Sequence, residues 1–200
     1  MTEEPEARGP WVRRSRRVAY ENPWIRVYHD EVTQPDGRPG VYGVVHFKSR
    51  AVGVVVFDDA DRILLVGQHR YTLDRYSWEI PEGGSPLDED PLIGARRELA
   101  EETGYRGGVW RELIRFSASN SVTDEEGVFF VATDLMPGDA DPEGTEELAI
   151  RWVPLDEALA MVGSGRIHDV MTQMALLAVA RERTAEDRPE GRPPGDSAEN

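Results

Sequence analysis

One stretch, from Gly83 to Tyr105, constrains the fold more than any other part of the chain. Asp90 and Pro91 predict a helix start, because aspartate is a good N-cap and proline is tolerated at the first helical position. Gly104 predicts the helix end, since glycine accepts the left-handed conformation. The buried face of this helix is marked by three apolar residues at helical spacing: Leu92, Ala95 and Leu99.

The same helix carries an unusual concentration of acidic side chains. Glu98 and Glu102 are four residues apart, so their carboxylates project side by side, and Glu101 lies next to them. Arg97 can pair with Glu101 but cannot neutralise the other acids and Glu89. A hard divalent cation such as Mg²⁺ can, because it takes oxygen ligands. The alternative is a solvated acidic helix face, which is what most charge runs are.

The spacing of these residues resembles the Nudix box in every fixed position. The residues that carry the resemblance are Gly83, Glu89, Arg97, Glu98, Leu99, Glu101, Glu102, Gly104 and Tyr105. The resemblance implies a Nudix hydrolase, which uses Mg²⁺, or Mn²⁺ as a substitute, to let water cleave a diphosphate linkage. It implies an α+β fold, an α/β/α sandwich with a mixed sheet between helices, preceded by an N-terminal antiparallel meander.

The resemblance also assigns roles within the box. The residues that it assigns to the metal are Glu98, Glu102, Glu101 and, through its backbone carbonyl, Glu82. Arg97 would orient the glutamates, and Glu89 would support the loop and the metal-bound waters. The related branch usually has alanine where Glu82 stands, so this chain places an additional carboxylate near the metal.

Composition excludes several other classes of function. The chain has 200 residues and no cysteine, which excludes disulfides, thiolate catalysis and cysteine-based zinc sites. A net charge of −15 argues against broad binding to nucleic acid or to an anionic membrane, since both need basic patches. No apolar run reaches the length of a membrane span, roughly 18 residues, and no secretory signal is visible. We therefore expect a cytoplasmic protein. The Nudix resemblance implies that its partner is a small nucleoside diphosphate substrate.

The chain divides into four segments by composition. Residues 1–17 are polar and broken by proline and glycine, and are expected to be a mobile tail. We expect the β-meander in residues 18–48, the Nudix hydrolase domain in residues 49–183 and a disordered tail in residues 184–200. In the ADP-ribose pyrophosphatase branch of the family similar meanders pair across a homodimer, so the resemblance implies a homodimer here.

Two candidate substrate-binding residues precede the box. Arg70 lies in the segment Gln68-His69-Arg70-Tyr71, which resembles a stretch whose arginine contacts the substrate phosphates or the adjoining sugar in the ADP-ribose branch. The alternative is a surface arginine at a strand end. Glu79 is a candidate for a substrate contact, a further metal ligand or a support for the base, or else an acid held by backbone N–H groups.

The loop after the box differs from the related branch. Ser119-Asn120-Ser121 stands where the ADP-ribose pyrophosphatases usually have a Ser-Pro-Gly turn. Ser119 and Glu125 are nevertheless candidates for substrate contacts. The departure leaves hydrolysis of a diphosphate as the expectation and leaves the substrate open.

An acidic loop over residues 137–147 is the candidate source of the general base. Its composition is typical of a solvated loop. The related branch carries its general base on a mobile loop at this position. The candidates are Glu143, Glu146 and Glu147, with the last two favoured because they lie just before the next strand.

The resemblance therefore implies a Mg²⁺-dependent hydrolase that cleaves ADP-ribose or a related ADP-sugar to AMP and a sugar phosphate. Two alternatives stay open. One is a Nudix hydrolase of a dinucleoside polyphosphate, another sugar nucleotide or a nucleoside triphosphate. The other is a non-catalytic Nudix domain that binds a nucleotide sugar.

Overall fold

The computed structural model describes residues 4–141 and 148–186, and it contains three sheets and three helices within those ranges. The strands are β1 (Glu6–Arg8), β2 (Trp11–Glu21), β3 (Ile25–Thr33), β4 (Pro39–Phe47), β5 (Ser49–Val56), β6 (Arg62–Arg70), β7 (Arg75–Glu79), β8 (Glu82–Pro86), β9 (Arg106–Ser117), β10 (Glu126–Met136) and β11 (Ala149–Pro154). The helices are α1 (Pro91–Thr103), α2 (Leu155–Gly163) and α3 (Val170–Glu186). None of these helices has the length and apolarity that a membrane-spanning helix needs.

Two adjacent sheets form the centre of the part of the chain that follows the N-terminal strands. One has the order β8-β5-β10-β9, in which β5 and β10 are parallel and the other pairs are antiparallel. The other has the antiparallel order β11-β6-β7 and meets the first through a bridge between Phe57 and Ile63. Strand β5 is buried on both faces over residues 51–56, as its near-continuous apolar run predicts.

Helices cover both faces of this central layer. Because successive side chains of a strand point to opposite faces, β5 contributes to two cores. Val52 and Val54 pack on the side of α1, in the core that contains Leu99. Val55 packs on the other side, with Met161 of α2 and Leu176 of α3. The arrangement confirms the predicted α/β/α sandwich with a mixed sheet.

Helix α3 differs from the sequence-based expectation in its orientation and its end. The sequence predicts a last amphipathic helix over about residues 169–183, with Val170, Met174, Leu177 and Val179 toward the core. Val170 and Leu177 are exposed instead, and the buried residues of the helix include Thr172, Ala175, Leu176 and Val179. This set follows the i, i+3, i+4, i+7 spacing of one helix face, and the apolar sequence allows two such faces. The helix also continues to Glu186, past the expected start of the tail at residue 184.

The N-terminal sheet has the order β1-β2-β3-β4 and corrects the expectation of a tail over residues 1–17. Strand β2 begins in that segment, and its arginines pair with acids on neighbouring strands. Arg16 donates two hydrogen bonds of 2.7 Å to the buried carboxylate of Asp30 on β3, and Arg13 pairs with Glu6 on β1. These ion pairs, together with the backbone ladder, account for an ordered strand of polar composition.

The loop between β9 and β10 holds the N-terminal sheet in place. The Val45 N–H of β4 donates to the Val122 carbonyl, at 2.9 Å. The Tyr42 hydroxyl donates to the Ser121 carbonyl, also at 2.9 Å. The Phe47 N–H donates to the carboxylate of Asp124. The segment around Ser119-Asn120-Ser121 therefore docks onto the meander.

Candidate active site

The glutamate-bearing helix α1 begins and ends as the sequence predicts. Asp90 is the N-cap and accepts a hydrogen bond from the Leu92 N–H, and Pro91 occupies the first turn. Gly104 ends the helix with φ of 78°, in the left-handed region. Ala95 and Leu99 are buried, so the helix is fixed against the central sheet with its glutamates facing β8.

Two box carboxylates bind to the backbone of β8. Glu98 Oε1 accepts from the Gly84 N–H at 3.2 Å, and Glu102 Oε2 accepts from the Glu82 N–H at 3.2 Å. The i, i+4 spacing on the helix matches the two-residue spacing of these N–H groups on the strand. The side chains of Glu98 and Glu102 therefore lie on either side of Gly83.

Gly83 is required by the close approach of the helix to the strand. A Cβ on residue 83 would lie 2.8 Å from Glu98 Cγ and closer still to its carboxylate. Any larger residue would displace the Glu98 side chain. The position of glycine in the box is therefore explained by the space that Glu98 occupies.

Arg97 links the remaining box acids. Its guanidinium donates to the Gly84 carbonyl at 2.8 Å, to Glu98 at 2.8 Å and to Glu101 at 3.0 Å. It lies 3.9 Å from Glu89, which also accepts from the Ser85 hydroxyl. This geometry fits the expected orienting function of Arg97, which remains a prediction, as does the supporting role of Glu89.

The donor set suits a hard divalent cation, although the three box carboxylates are not drawn into one tight group. Glu98 and Glu102 are bound to N–H groups two residues apart, and Glu101 turns toward Arg97. Burial raises the pKa of Glu98, and Arg97 opposes that shift. A buried carboxylate whose charge is disfavoured by burial gains from a bound cation. The carboxylates and the neighbouring backbone oxygens are the ligand types that Mg²⁺ and Mn²⁺ take.

Arg70 and Glu79 form an ion pair beside the box. The Arg70 guanidinium donates to both carboxylate oxygens of Glu79 and, at 3.3 Å, to Glu82. Glu79 is buried and lies at the end of β7. Burial raises the pKa of Glu82 well above its usual range, and the nearby carboxylates of Asp169 and Glu79 add to that rise.

A cavity of about 550 Å³ opens between the box and the N-terminal sheet. Its wall includes two arginines and three glutamates: Arg70, Arg97, Glu98, Glu101 and Glu102. It also includes Trp24 and Lys48. The sequence reasoning did not single out the last two. Trp24 is 71% exposed, which is unusual for tryptophan, and this exposure is seen only in the structure.

The remaining expected site residues lie elsewhere or outside the described residues. Ser119 and Glu125 do not line this cavity, and their function as substrate contacts stays a prediction. Burial, with the neighbouring Asp124, raises the pKa of Glu125. The candidate bases Glu143, Glu146 and Glu147 lie in residues 142–147, outside the described residues.

The fold and the site define a pyrophosphohydrolase. The family model of the NUDIX domain matches residues 47–173, and that of the nucleoside diphosphate sugar hydrolase N-terminal domain matches residues 9–45. The chain belongs to the Nudix family.

Curated relatives span most of the chain. A CMP-5'-(N-acetyl-N-hydroxy-3-aminopropyl)phosphonate hydrolase of Streptomyces rubellomurinus is 35% identical over 84% of this chain and 82% of its own length. An ADP-ribose pyrophosphatase of Mycobacterium tuberculosis is 33% identical over 80% of this chain and 79% of its own. A crystal structure of an ADP compounds hydrolase has a TM-score of 0.80 at 19% identity, covers 94% of this chain and 99% of that one, and shows the same fold.

Proposed function

We propose that this hydrolase cleaves the diphosphate linkage of ADP-ribose or a related ADP-sugar, releasing AMP and a sugar phosphate. The observation that carries the proposal is that Glu98 and Glu102 accept hydrogen bonds from the backbone of β8, on either side of Gly83. It places two carboxylates beside a cavity whose wall also supplies Arg70. The ADP-ribose pyrophosphatases among the relatives support the choice of substrate class.

The residues that would hold Mg²⁺, or Mn²⁺ in its place, are Glu98, Glu101, Glu102 and the carbonyl of Glu82. When bound, the ion neutralises diphosphate charge and lowers the pKa of a coordinated water. Arg97 holds Glu98 and Glu101 in one orientation through its bonds to both. Such positioning matters because phosphoryl transfer asks little covalent chemistry of the protein.

Two further groups act on substrate and water in this proposal. Arg70 lines the cavity and contacts the diphosphate through its guanidinium, whose charge is shared with Glu79. A glutamate of the acidic loop, Glu146 or Glu147 with Glu143 as the third candidate, accepts the proton of the attacking water. That assignment rests on the resemblance to the ADP-ribose branch.

A panel of purified substrates tests the proposed activity. With Mg²⁺ present, we expect ADP-ribose and ADP-glucose to be cleaved faster than GDP-mannose, diadenosine polyphosphates or nucleoside triphosphates, with AMP as the nucleotide product. EDTA should abolish the activity. A wide preference for triphosphates, or tight binding with no cleavage of any compound, would contradict the proposal.

A cytidine substrate is the second candidate. The Streptomyces relative is named for a CMP-phosphonate, and the Ser119-Asn120-Ser121 segment departs from the ADP-ribose branch. A CMP-phosphonate anhydride added to the panel separates the two candidates. Faster release of CMP than of AMP would favour the cytidine substrate while leaving the reaction class unchanged.

We also propose that the chain forms a homodimer through the N-terminal sheet. Within the described part of that sheet only Asp30 and Val32 are buried, whereas Val18, Tyr20 and Val41 are exposed apolar or aromatic residues. Light scattering should give about twice the chain mass of 22.4 kDa. Val18→Lys should shift the protein toward monomer, and Leu177→Lys, on the exposed face of α3, should not. A wild-type monomer at micromolar concentration would refute the dimer.

A further inference from the structure

A second group of acidic side chains lies apart from the box helix. Glu79 ends β7, Glu82 begins β8, and Asp169 directly precedes α3. One carboxylate oxygen from each lies within 4.8 Å of the other two. Across residues 4–141 and 148–186, these are the three acids found close enough to share one ion. The group joins the strand that leads into the box to the start of the last helix.

The charges in this group do not balance. Arg70 is the cation that pairs with Glu79 and Glu82. Three carboxylates against one guanidinium leave two negative charges when all are ionised. Glu79 is 2% exposed, and the side chain of Glu82 is 9% exposed. Charges buried in this way are costly unless they are paired, and a bound cation would remove that cost.

One carboxylate oxygen of Glu82 has no partner that would offset its negative charge. Its Oε2 is buried and has no hydrogen-bond partner among the described residues. Its Oε1 accepts a single long bond of 3.3 Å from Arg70. One oxygen of Asp169 caps the helix, since Oδ2 accepts a hydrogen bond from the Thr172 N–H at 2.6 Å. An unpaired carboxylate oxygen that is nine-tenths buried beside two other acids is an available metal ligand.

We propose that Glu79, Glu82 and Asp169 bind a hard divalent cation at a site separate from the ligands of the box. Oxygen atoms within 4.8 Å of one another can all reach one ion at the ~2.0–2.6 Å typical of Mg²⁺ and Ca²⁺, with small side-chain rotations. A divalent ion supplies the two positive charges that the group lacks. This site does not depend on the proposed hydrolysis, because it is defined by binding alone.

Glu82 connects the two sites. Its backbone N–H donates to Glu102 of the box, whereas its side chain lies with Asp169 and Glu79. Both Arg70 and Glu82 line the substrate cavity. An ion in the second site would therefore tie the start of α3 to the wall of that cavity.

Anomalous diffraction from wild-type crystals soaked in Mn²⁺ tests the site without any substitution. We expect a peak among the three carboxylates, at ~2.0–2.6 Å from their oxygens, in addition to a peak at the box. A box peak with nothing near Asp169 would overturn this proposal and leave the proposed function standing. A peak near Asp169 with none at the box would support this proposal and overturn the proposed function. Absence of both peaks at saturating Mn²⁺ would overturn both.

Counting bound Mn²⁺ by electron paramagnetic resonance gives a second test in solution. Asp169→Asn removes the charge and keeps an oxygen to cap α3, and Glu82→Gln removes the unpaired carboxylate. Each should weaken one Mn²⁺ site at least tenfold, whereas Glu102→Gln should leave that site occupied. Asp90→Asn is the matched control, because Asp90 caps α1 away from the group, and it should bind Mn²⁺ as the wild type does. Unchanged Mn²⁺ binding in Asp169→Asn and Glu82→Gln would overturn the proposal.

Discussion

Replacing Gly83 with alanine is a sharp test of how the helix and the strand build the site. The added Cβ would lie 2.8 Å from Glu98 Cγ, closer than real Cβ atoms approach other heavy atoms. The backbone of Gly83 does not have a positive φ, so alanine brings no backbone strain of its own. The effect must therefore come from displacement of the Glu98 side chain.

The size of the effect follows from what Glu98 loses. Forcing an extra methyl group into packed structure costs about 1–3 kcal/mol. Glu98 can relieve that strain by turning away, because its side chain is 18% exposed, but it then loses its bonds to Gly84 and Arg97. A displacement of about 1 Å in a catalytic group can cost ~100-fold in rate. We expect kcat/KM to fall by about two orders of magnitude while the protein stays folded.

The assay compares Gly83→Ala with wild type in Mg²⁺-dependent hydrolysis and in urea unfolding. Gly163→Ala is the control, since a Cβ at Gly163 would meet nothing within 4 Å. Activity of Gly83→Ala within threefold of wild type would refute the argument. An equal loss in Gly163→Ala would show that the effect is not specific to the box.

Three other predictions concern the same helix. Arg97→Lys should lower activity about 10–100-fold, because lysine cannot bond to Gly84, Glu98 and Glu101 together; Arg96→Lys is the control and should be near wild type in the same kinetic assay. Burial raises the pKa of Glu98 in the folded protein. The stability that protonated Glu98 contributes is therefore fully present below the unfolded pKa of ~4.3, and it is lost as the pH rises through the folded pKa. In EDTA, Glu98→Gln should therefore gain stability relative to wild type as the pH rises above ~4.3. Thermal melts measure this as a difference in melting temperature between the two proteins, and a difference that does not change with pH would contradict the prediction. Leu99→Ala should lower the free energy of unfolding by about 2–5 kcal/mol, measured in urea, since Leu99 is fully buried; a loss below 1 kcal/mol would contradict the packing.

The sequence predicted the central helix well because its determinants are local. Asp90, Pro91 and Gly104 specify the ends of α1 through contacts within a few residues. The apolar spacing of Leu92, Ala95 and Leu99 selects the face that packs on the sheet. The acidic positions then follow from the helix period alone.

The features that the sequence did not predict depend on distant partners. Strand β2 is ordered although its composition is typical of a tail, because Arg16 pairs with Asp30 across the sheet. Asp169 lies beside Glu79 and Glu82 because α3 packs on the central sheet. No periodicity in the chain relates Asp169 to Glu79 and Glu82, so only the three-dimensional structure places the three carboxylates together.

Substitution of Glu102 by glutamine tests the central claim most directly. Glutamine keeps the size of the side chain and an oxygen that can accept from the Glu82 N–H. If the box glutamates hold the metal for hydrolysis of a diphosphate, kcat/KM with Mg²⁺ should fall by orders of magnitude while the unfolding midpoint changes little. Near-wild-type hydrolysis by folded Glu102→Gln would contradict the account.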